Sequence, residues 1–208
     1  SPNGNGGWFS SLKNAGLLDL IHENGIEWLN VFAVDNVLQR IADPCFIGAT
    51  ITENRSVGAK VVCKNHPDEK VGVMCLKDNH PSIVEYYELT PELRDAVDED
   101  GEPAYNFGVI LNYLFKESEL EDICENTLPL HIVEKKIPYI DDAGTLIKPE
   151  EPNGYKFETL ILDMIQMMDT CLPFEVERDK EFAPIKNKTG IDSVESARAL
   201  LAKNGVTL

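Results

Sequence analysis

The sequence predicts an α/β fold built on a mixed β-sheet. Residues 8–24 carry a helical face of apolar side chains that ends at Gly25, and a buried strand predicted at 26–34 leads directly into Asp35 and Asn36. Helix, strand and then polar residues at the strand's end is the order of an α/β domain, in which ligands bind beyond the carboxyl ends of the strands. The later strands are short and separated by turn residues, which favours antiparallel pairing, so we expect a mixed sheet.

Hydrophobic periodicity and turn residues predict the remaining elements. Strands are predicted at 59–64, 71–76, 83–89, 104–110 and 174–176, with a charged turn at 98–103. Helices are predicted at 36–42, 111–115, 155–169 and 194–203. Residues 137–140 and 145–148 flank Asp-Asp-Ala-Gly, which predicts a hairpin.

Composition and charge exclude several classes of protein. The chain of 208 residues is 43% hydrophobic, enough for one good core, and it has no apolar run near the roughly 20 residues that cross a bilayer. Its net charge of −17 argues against a nucleic-acid surface, which would need clustered Lys and Arg. We therefore expect neither a nucleic acid nor a membrane among its partners.

The five cysteines and four histidines predict a cytoplasmic protein without a zinc site. The cysteines are odd in number and widely spread, which favours reduced thiols over a disulfide framework. Neither residue type shows the close spacing along the chain that is typical of zinc ligands. The residues concerned are Cys45, Cys63, Cys75, Cys124 and Cys171 with His22, His66, His80 and His131.

Two features near the first predicted helix and strand are candidates for ligand binding. Gly4, Gly6 and Gly7 would let the backbone approach a flat base or ribose, although a simple turn or a loose terminus explains them equally simply. Asp35 at the end of a buried strand suits a hard cation such as Mg²⁺. The alternative is that Asp35 caps a helix that begins at Asn36.

Charged residues further along the chain are also candidates. Lys186 lies in an otherwise apolar loop and Lys156 follows Asn-Gly, so either could bind phosphate, although most lysines are solvated surface. Glu85 and Tyr86 lie in a predicted strand, with side chains on opposite faces, and Glu85 could accept hydrogen bonds from sugar hydroxyls. The alternative for this pair is an exposed edge strand.

Nine motifs, taken together and in order, resemble the eukaryotic UDP-N-acetylglucosamine pyrophosphorylase family. The resemblance extends from Pro2 to about Asn187, and beyond it only the segment 196–200 is similar. The motifs are P-N-G-N-G-G, V-D-N-V-L, A-D-P-C-F-I-G, G-A-K-V-V, E-K-V-G-V, V-E-Y-Y-E-L, K-K-I-P-Y-I-D, I-K-P-E-E-P-N-G and F-A-P-I-K-N.

This resemblance implies a Rossmann-like, GT-A-like nucleotidyltransferase domain of which the chain is the C-terminal portion. It implies that UTP and N-acetylglucosamine 1-phosphate are joined into UDP-N-acetylglucosamine and pyrophosphate, with Mg²⁺ or Mn²⁺ as cofactor. Residues 1–187 would be part of the catalytic domain, and 188–208 a short tail with a helix. The implied roles are uridine binding by Gly4 and Asn5, metal binding and catalysis by Asp35, sugar binding by Gly72, Glu85 and Tyr86, and phosphate binding and catalysis by Lys186, with Lys156 as a second candidate for phosphate binding.

The chain departs from the family around the sugar and at its start. Val109 stands where the family has an asparagine that reaches the sugar, and Leu160 and Leu162 replace aromatic residues. The preferred sugar therefore stays open, and the rival enzyme is a UDP-glucose or broad-specificity UDP-sugar pyrophosphorylase. The other alternative is an inactive nucleotide-binding scaffold. The family's glycine-rich triphosphate loop is absent from the sequence. We therefore expect no activity without an N-terminal portion, as a second chain or a missing segment.

Overall fold

A computed structural model describes residues 4–124 and 127–207. Pro2 and Asn3 of the glycine cluster and the side chain of Cys124 lie outside the described part. The helices are α1 Trp8–Asn14, α2 Leu18–Glu23, α3 Pro44–Thr52, α4 Pro91–Arg94, α5 Glu117–Cys124, α6 Ile161–Gln166, α7 Arg178–Glu181 and α8 Val194–Lys203. The strands are β1 Trp28–Phe32, β2 Val57–Cys63, β3 Val73–Lys77, β4 His80–Val84, β5 Phe107–Lys116, β6 His131–Lys135, β7 Tyr139–Ile140, β8 Leu146–Ile147, β9 Gly154–Glu158 and β10 Cys171–Glu175.

The central sheet is mixed, as the sequence predicts. Its strand order is β10-β2-β5-β3-β4, and β1 also pairs with β5. Strand β10 is parallel to β2, whereas the other pairs are antiparallel. Two further ribbons, β6-β9 and β7-β8, lie outside this sheet, and β7-β8 confirms the predicted hairpin.

Strand β5 organises the molecule because both of its edges are used. One edge pairs with β2 along almost the whole strand. The other edge is shared, since β1 pairs with residues 112–116 and β3 pairs at Gly108. Between them, Leu111 has a φ of +50°, and its carbonyl accepts a hydrogen bond from Ala33 N. The edge therefore carries a gap between β1 and β3.

Two predicted helices, 36–42 and 111–115, are wrong, and a third, 155–169, is confirmed only in part. Pairing with neighbouring strands outweighs the local apolar pattern at 111–115 and at the start of 155–169. Residues 111–115 continue β5, flanked on both sides by partner strands. The first part of the segment 155–169 is β9, paired with β6, and only 161–166 is helical. Residues 36–42 form turns, and the helix comes next, as α3, where Asp43 accepts a hydrogen bond from Cys45 N and Pro44 opens the first turn.

The other boundaries shift less. The predicted helix 8–24 is divided into α1 and α2, because Leu17 N bonds back to Leu12 O and ends the first helix. Strand β4 ends at Val84, so 85–89 leaves the sheet. Helix α8 is confirmed as predicted.

The main core lies between the sheet and helices α1, α5 and α6. It includes the fully buried Phe9, Phe115, Leu120 and Ile165. A second cluster packs Ala197 of α8 against Leu38 and Ala183, so the predicted tail is in contact with the loops that follow β1 and α7. The proposed boundary at residue 187 stays a prediction. No helix in the described ranges is long and apolar enough to cross a bilayer.

Candidate active site

A cavity of about 300 Å³ lies at the gap between β1 and β3. Val109 and Leu111 of β5, Ala33 after β1 and Gly72 before β3 all contribute to its lining. Most of the side chains that the sequence singles out meet here, although they are spread over more than 180 positions. They are Asn5, Asp35, Gly72, Glu85, Tyr86, Val109, Leu160, Leu162 and Lys186.

The glycine cluster forms a neighbouring cavity of about 470 Å³, which Gly4 lines. The two cavities share lining residues, so Gly4 belongs to the same cleft as Asp35 and Lys186; the shared residues are Asn5, Ala33, Leu111 and Ile161. A loose terminus is excluded for Gly4 to Gly7, since Gly6 N donates to Thr159 O and Asn5 Oδ1 accepts from Ile161 N, both at 2.9 Å.

Position 4 has no room for a side chain. Its φ is +90°, and a Cβ built on it would lie 2.1 Å from the carbonyl oxygen of Thr159. The missing side chain therefore lets Gly4 pack directly against the main chain of Thr159, with which it forms a β-bridge.

Asp35 and Lys186 come from segments that are hydrogen-bonded to each other. Ile185 N donates to Asp35 O at 2.9 Å, and Val37 N donates to Ala183 O at 3.2 Å. The alternative role of Asp35, capping a helix at 36–42, is wrong because that segment is not helical. Asp35 instead lines the cavity.

Asn36, which was not among the residues selected from the sequence, connects the segment that follows β1 to the segment that follows α7. Its side chain is 3% exposed, and Nδ2 donates to Glu181 O at 2.7 Å. Its Oδ1 accepts from Ala183 N at 2.8 Å and from Leu38 N at 3.3 Å. A polar residue directly after the candidate metal ligand was the available signal.

A buried ion-pair network holds both segments to the sheet. Lys60 of β2 is fully buried, with Nζ 2.8 Å from Asp43 Oδ2 and 2.5 Å from Glu181 Oε2. Arg40 lies 3.7 Å from the other oxygen of Glu181. Burial would raise the pKa of Asp43, but the hydrogen bond and charge of Lys60 outweigh it and lower that pKa overall.

Glu85 and Tyr86 both line the cavity, which corrects the prediction that they face opposite ways. The chain turns after Val84, with Glu85 N donating to Glu88, so strand alternation does not apply. Burial raises the pKa of Glu85, and the charge of Glu88 raises it further, whereas His131 and Lys186 act in the opposite direction. The reading of Glu85 as part of an exposed edge strand is wrong.

Gly72 and three apolar residues complete the wall. A Cβ on Gly72 would lie 3.1 Å from Ile83 and 3.3 Å from Val109, so the missing side chain keeps this part of the wall open. Leu160 and Leu162 line the same cavity as Val109. The surface near Gly72 is therefore more apolar than the asparagine of the family pattern would make it.

Of the two candidate lysines, the structure brings only Lys186 to the cavity. Lys156 lies on β9, where its Nζ is 2.5 Å from Glu158 Oε1, and it is not among the lining residues. Lys70 lines the cavity instead. It precedes Gly72 by two positions in the E-K-V-G-V motif, which was the signal that could have identified it.

The fold and the cleft define a nucleotidyltransferase-like α/β domain of the kind found in UDP-sugar pyrophosphorylases. The solved UDP-N-acetylglucosamine pyrophosphorylase of Trypanosoma brucei is similar over 98% of this chain and 42% of its own, with a TM-score of 0.84 and 28% identity. The UDP-glucose phosphorylase of the same organism, at 19% identity and a TM-score of 0.68, shares the fold.

The family follows from the sequence match. The family model described as "UTP--glucose-1-phosphate uridylyltransferase" matches residues 1–207, and the chain belongs to this family. It is 40% identical to the mouse UDP-N-acetylhexosamine pyrophosphorylase-like protein 1 and 38% identical to the UDP-N-acetylglucosamine pyrophosphorylase of Saccharomyces cerevisiae, over 98% and 100% of its length. These alignments cover 41% and 45% of the two relatives, so the chain spans less than half of their length. The resemblance seen in the motifs is confirmed.

Proposed function

We propose that this chain supplies the C-terminal part of a uridylyltransferase active site. The enzyme would make UDP-N-acetylglucosamine and pyrophosphate from UTP and N-acetylglucosamine 1-phosphate. The observation that carries this proposal is that Asp35, Glu85 and Lys186, from three distant segments, line one cavity beside the glycine turn. The similarity to the yeast and Trypanosoma brucei UDP-N-acetylglucosamine pyrophosphorylases supports the proposal independently.

The protein's part in this reaction is positioning and charge neutralisation. An oxygen of the sugar phosphate attacks the α-phosphate of UTP, the bond to the β-phosphate breaks, and pyrophosphate leaves. Lys186 and Lys70 line the cavity, so the ammonium group of Lys186 would offset charge on the transferred phosphate and Lys70 would offset part of the rest. With two lysines on one cavity, a chain of net charge −17 could still neutralise anionic substrates locally.

Asp35 would hold Mg²⁺ or Mn²⁺. The donor chemistry fits, because Mg²⁺ is commonly held by one or two carboxylates together with substrate phosphates, and Asp35 lines the cavity with an oxygen donor. When bound, the cation would neutralise charge on the phosphates and help pyrophosphate to leave. Asp35 keeps its place through the main-chain hydrogen bond to Ile185.

The two ends of the cleft suit the two ends of the product. The main chain at Gly4 and the side chain of Asn5 would contact the uridine. Glu85 and Tyr86 would contact the sugar hydroxyls, with Gly72 leaving space for the ring.

We also propose that the site needs a further segment. The glycine-rich triphosphate loop of the family would come from an N-terminal portion, either as a separate chain or as a preceding part of the same one. The compartment we propose is the cytoplasm, and neither a nucleic acid nor a membrane is among the proposed partners.

A reconstitution assay tests the proposal. This chain would be combined with the preceding segment of the yeast relative, and pyrophosphate release from UTP and N-acetylglucosamine 1-phosphate would be measured. We expect turnover from the combination, its loss in Asp35→Asn and Lys186→Met, and its retention in the matched lysine control Lys156→Met. Robust turnover by this chain alone would refute the need for a second segment, and equal turnover in all variants would refute the site.

Val109 supports a second candidate, a UDP-glucose or broad-specificity enzyme, because an apolar residue replaces the sugar-contacting asparagine of the family. Comparing kcat/KM for glucose 1-phosphate and N-acetylglucosamine 1-phosphate separates the two. A preference for glucose 1-phosphate would favour the second candidate. Binding of UTP and Mg²⁺ by calorimetry without any turnover would instead favour an inactive scaffold.

A further inference from the structure

His22, Glu117 and Glu121 converge on one point outside the candidate cleft. His22 lies in the last turn of α2, and the two glutamates lie on α5. His22 Nε2 is 3.0 Å from Glu117 Oε1 and 3.4 Å from Glu121 Oε1. Each residue offers one donor atom, and the three donors lie within 4.8 Å of one another.

The two separations from His22 are close to those in the coordination shell of zinc. Zn²⁺ bonds to histidine nitrogen and carboxylate oxygen at about 2.0–2.2 Å in a tetrahedral arrangement, which places neighbouring donors about 3.3–3.5 Å apart. The observed 3.0 and 3.4 Å differ from that spacing by a few tenths of an ångström. Small rotations of the half-exposed side chains of His22 and Glu121 would close the shell.

The burial of Glu117 favours a positive charge at this site. Its side chain is 9% exposed, and a buried carboxylate is costly unless a positive charge compensates it. In the described ranges, the ion pair of Glu117 is with His22, which is charged only when protonated. The adjacent Lys116 is 3.8 Å from Glu119 instead. Glu121 and Asp19 add negative charge around His22, so the surroundings favour a cation.

The backbone holds the three residues in place. Glu117 and Glu121 are four positions apart on one helix and so share a face. Gly25 N bonds to His22 O, and Glu117 N bonds to Glu27 O at 2.9 Å, which ties the start of α5 to the segment after α2. A ligand set that is already assembled needs little ordering when the ion binds.

We propose that His22, Glu117 and Glu121 form a binding site for a zinc-type divalent cation, with a fourth position open to water. The imidazole nitrogen distinguishes it from the oxygen-donor site at Asp35, because nitrogen ligands favour Zn²⁺ and Co²⁺ over Mg²⁺. A bound ion would brace α2 against α5. Spacing along the chain predicts no zinc site, because His22 is 95 positions from Glu117.

Calorimetric titration of the 208-residue chain with Zn²⁺ tests the site, with the absorption spectrum of bound Co²⁺ as a report of its ligands. We expect one site per chain, unaffected by excess Mg²⁺, with a Kd that rises at least tenfold in His22→Gln and in Glu121→Gln. The matched controls are His66→Gln and Glu119→Gln, which change the same residue types elsewhere and should leave Kd within twofold. The two exposed ligands are substituted because Glu117 is buried and its loss could disturb folding.

Three outcomes would overturn the proposal. Absence of Zn²⁺ binding would leave the cluster as a histidine–glutamate ion pair. Equal affinity in His22→Gln and the unaltered chain would place the ion elsewhere, for example on the exposed thiols of Cys45 and Cys63. Equal loss in the control variants would indicate unspecific binding. None of these results depends on whether the uridylyltransferase proposal holds.

Discussion

The substitution Lys60→Met removes the positive charge at the centre of the buried ion-pair network. Methionine has similar length, so the change leaves little cavity but removes the nearest positive charge from the carboxylates of Asp43 and Glu181, which are 4% exposed each. Arg40 remains 3.7 Å from Glu181. Breaking a buried ion pair by removing one partner costs about 3–5 kcal/mol. In a chain of this size, each kcal/mol lowers Tm by about 2–4 °C, so we expect Tm to fall by about 6–20 °C.

The matching control separates charge from packing. In the triple variant with Lys60→Met, Asp43→Asn and Glu181→Gln, neutral amides replace the buried carboxylates, and burying an amide costs less than burying an unpaired charge. We expect part of the lost stability to return. A surface control, Lys203→Met, removes an exposed ion pair with Asp179 and should change stability by less than about 1 kcal/mol.

Urea and thermal unfolding followed by circular dichroism measure all three proteins. If Lys60→Met lowers the free energy of unfolding by less than about 1 kcal/mol, the reasoning is refuted, because two buried carboxylates without their lysine should cost more than that. A triple variant as unstable as the single one would show that packing around the lysine stem, not charge, holds the two loops.

Three further predictions concern single residues of the cleft. Asn36→Ala leaves Glu181 O and Ala183 N without their partner and should cost about 1–3 kcal/mol in urea unfolding, whereas an unchanged midpoint would show that water replaces the amide. Gly4→Ala places a Cβ against Thr159 O, so we expect weaker UDP binding by calorimetry in the reconstituted protein, with Gly144→Ala as a glycine control in open space; equal affinity in both would contradict the uridine assignment. The pKa of Glu85 is raised in the folded state, so the folded protein holds its proton to higher pH than the unfolded chain, and stability should fall as pH rises from about 4.5 through the raised pKa. Urea midpoints measured across that range should lose this fall in Glu85→Gln, and an identical slope in the variant would refute the assignment.

The candidate residues could be predicted from sequence mainly because their motifs occur in a known order. Asp35 and Lys186 were selected on chemistry and resemblance, and the structure brings both to one cavity. Lys156 was selected on the same grounds, but its ammonium group is held by Glu158 on β9. Lys70 was passed over because a lysine among charged neighbours is ordinary, and its place in the E-K-V-G-V motif was the signal that could have identified it.

The elements that sequence reasoning missed are those that depend on distant partners. Residues 111–115 are too short for their periodicity to distinguish a strand from a helix, and pairing with β1 and β2 decides the matter. The start of β9 is decided in the same way by β6. His22 likewise meets Glu117 only through the packing of two helices, so no spacing rule could reveal that cluster.

The hydrogen bonds between segments 35–37 and 183–185 constrain how this cleft can move. Asp35 and Lys186 belong to segments that are joined by two main-chain hydrogen bonds, so a movement of one backbone segment would carry the other with it. The turn that holds Glu85 and Tyr86 lies beyond the end of β4 and is not part of this connection. A change in the width of the cavity would therefore alter the distance from that turn to the proposed cation and phosphate ligands more than the backbone distance between those two ligands.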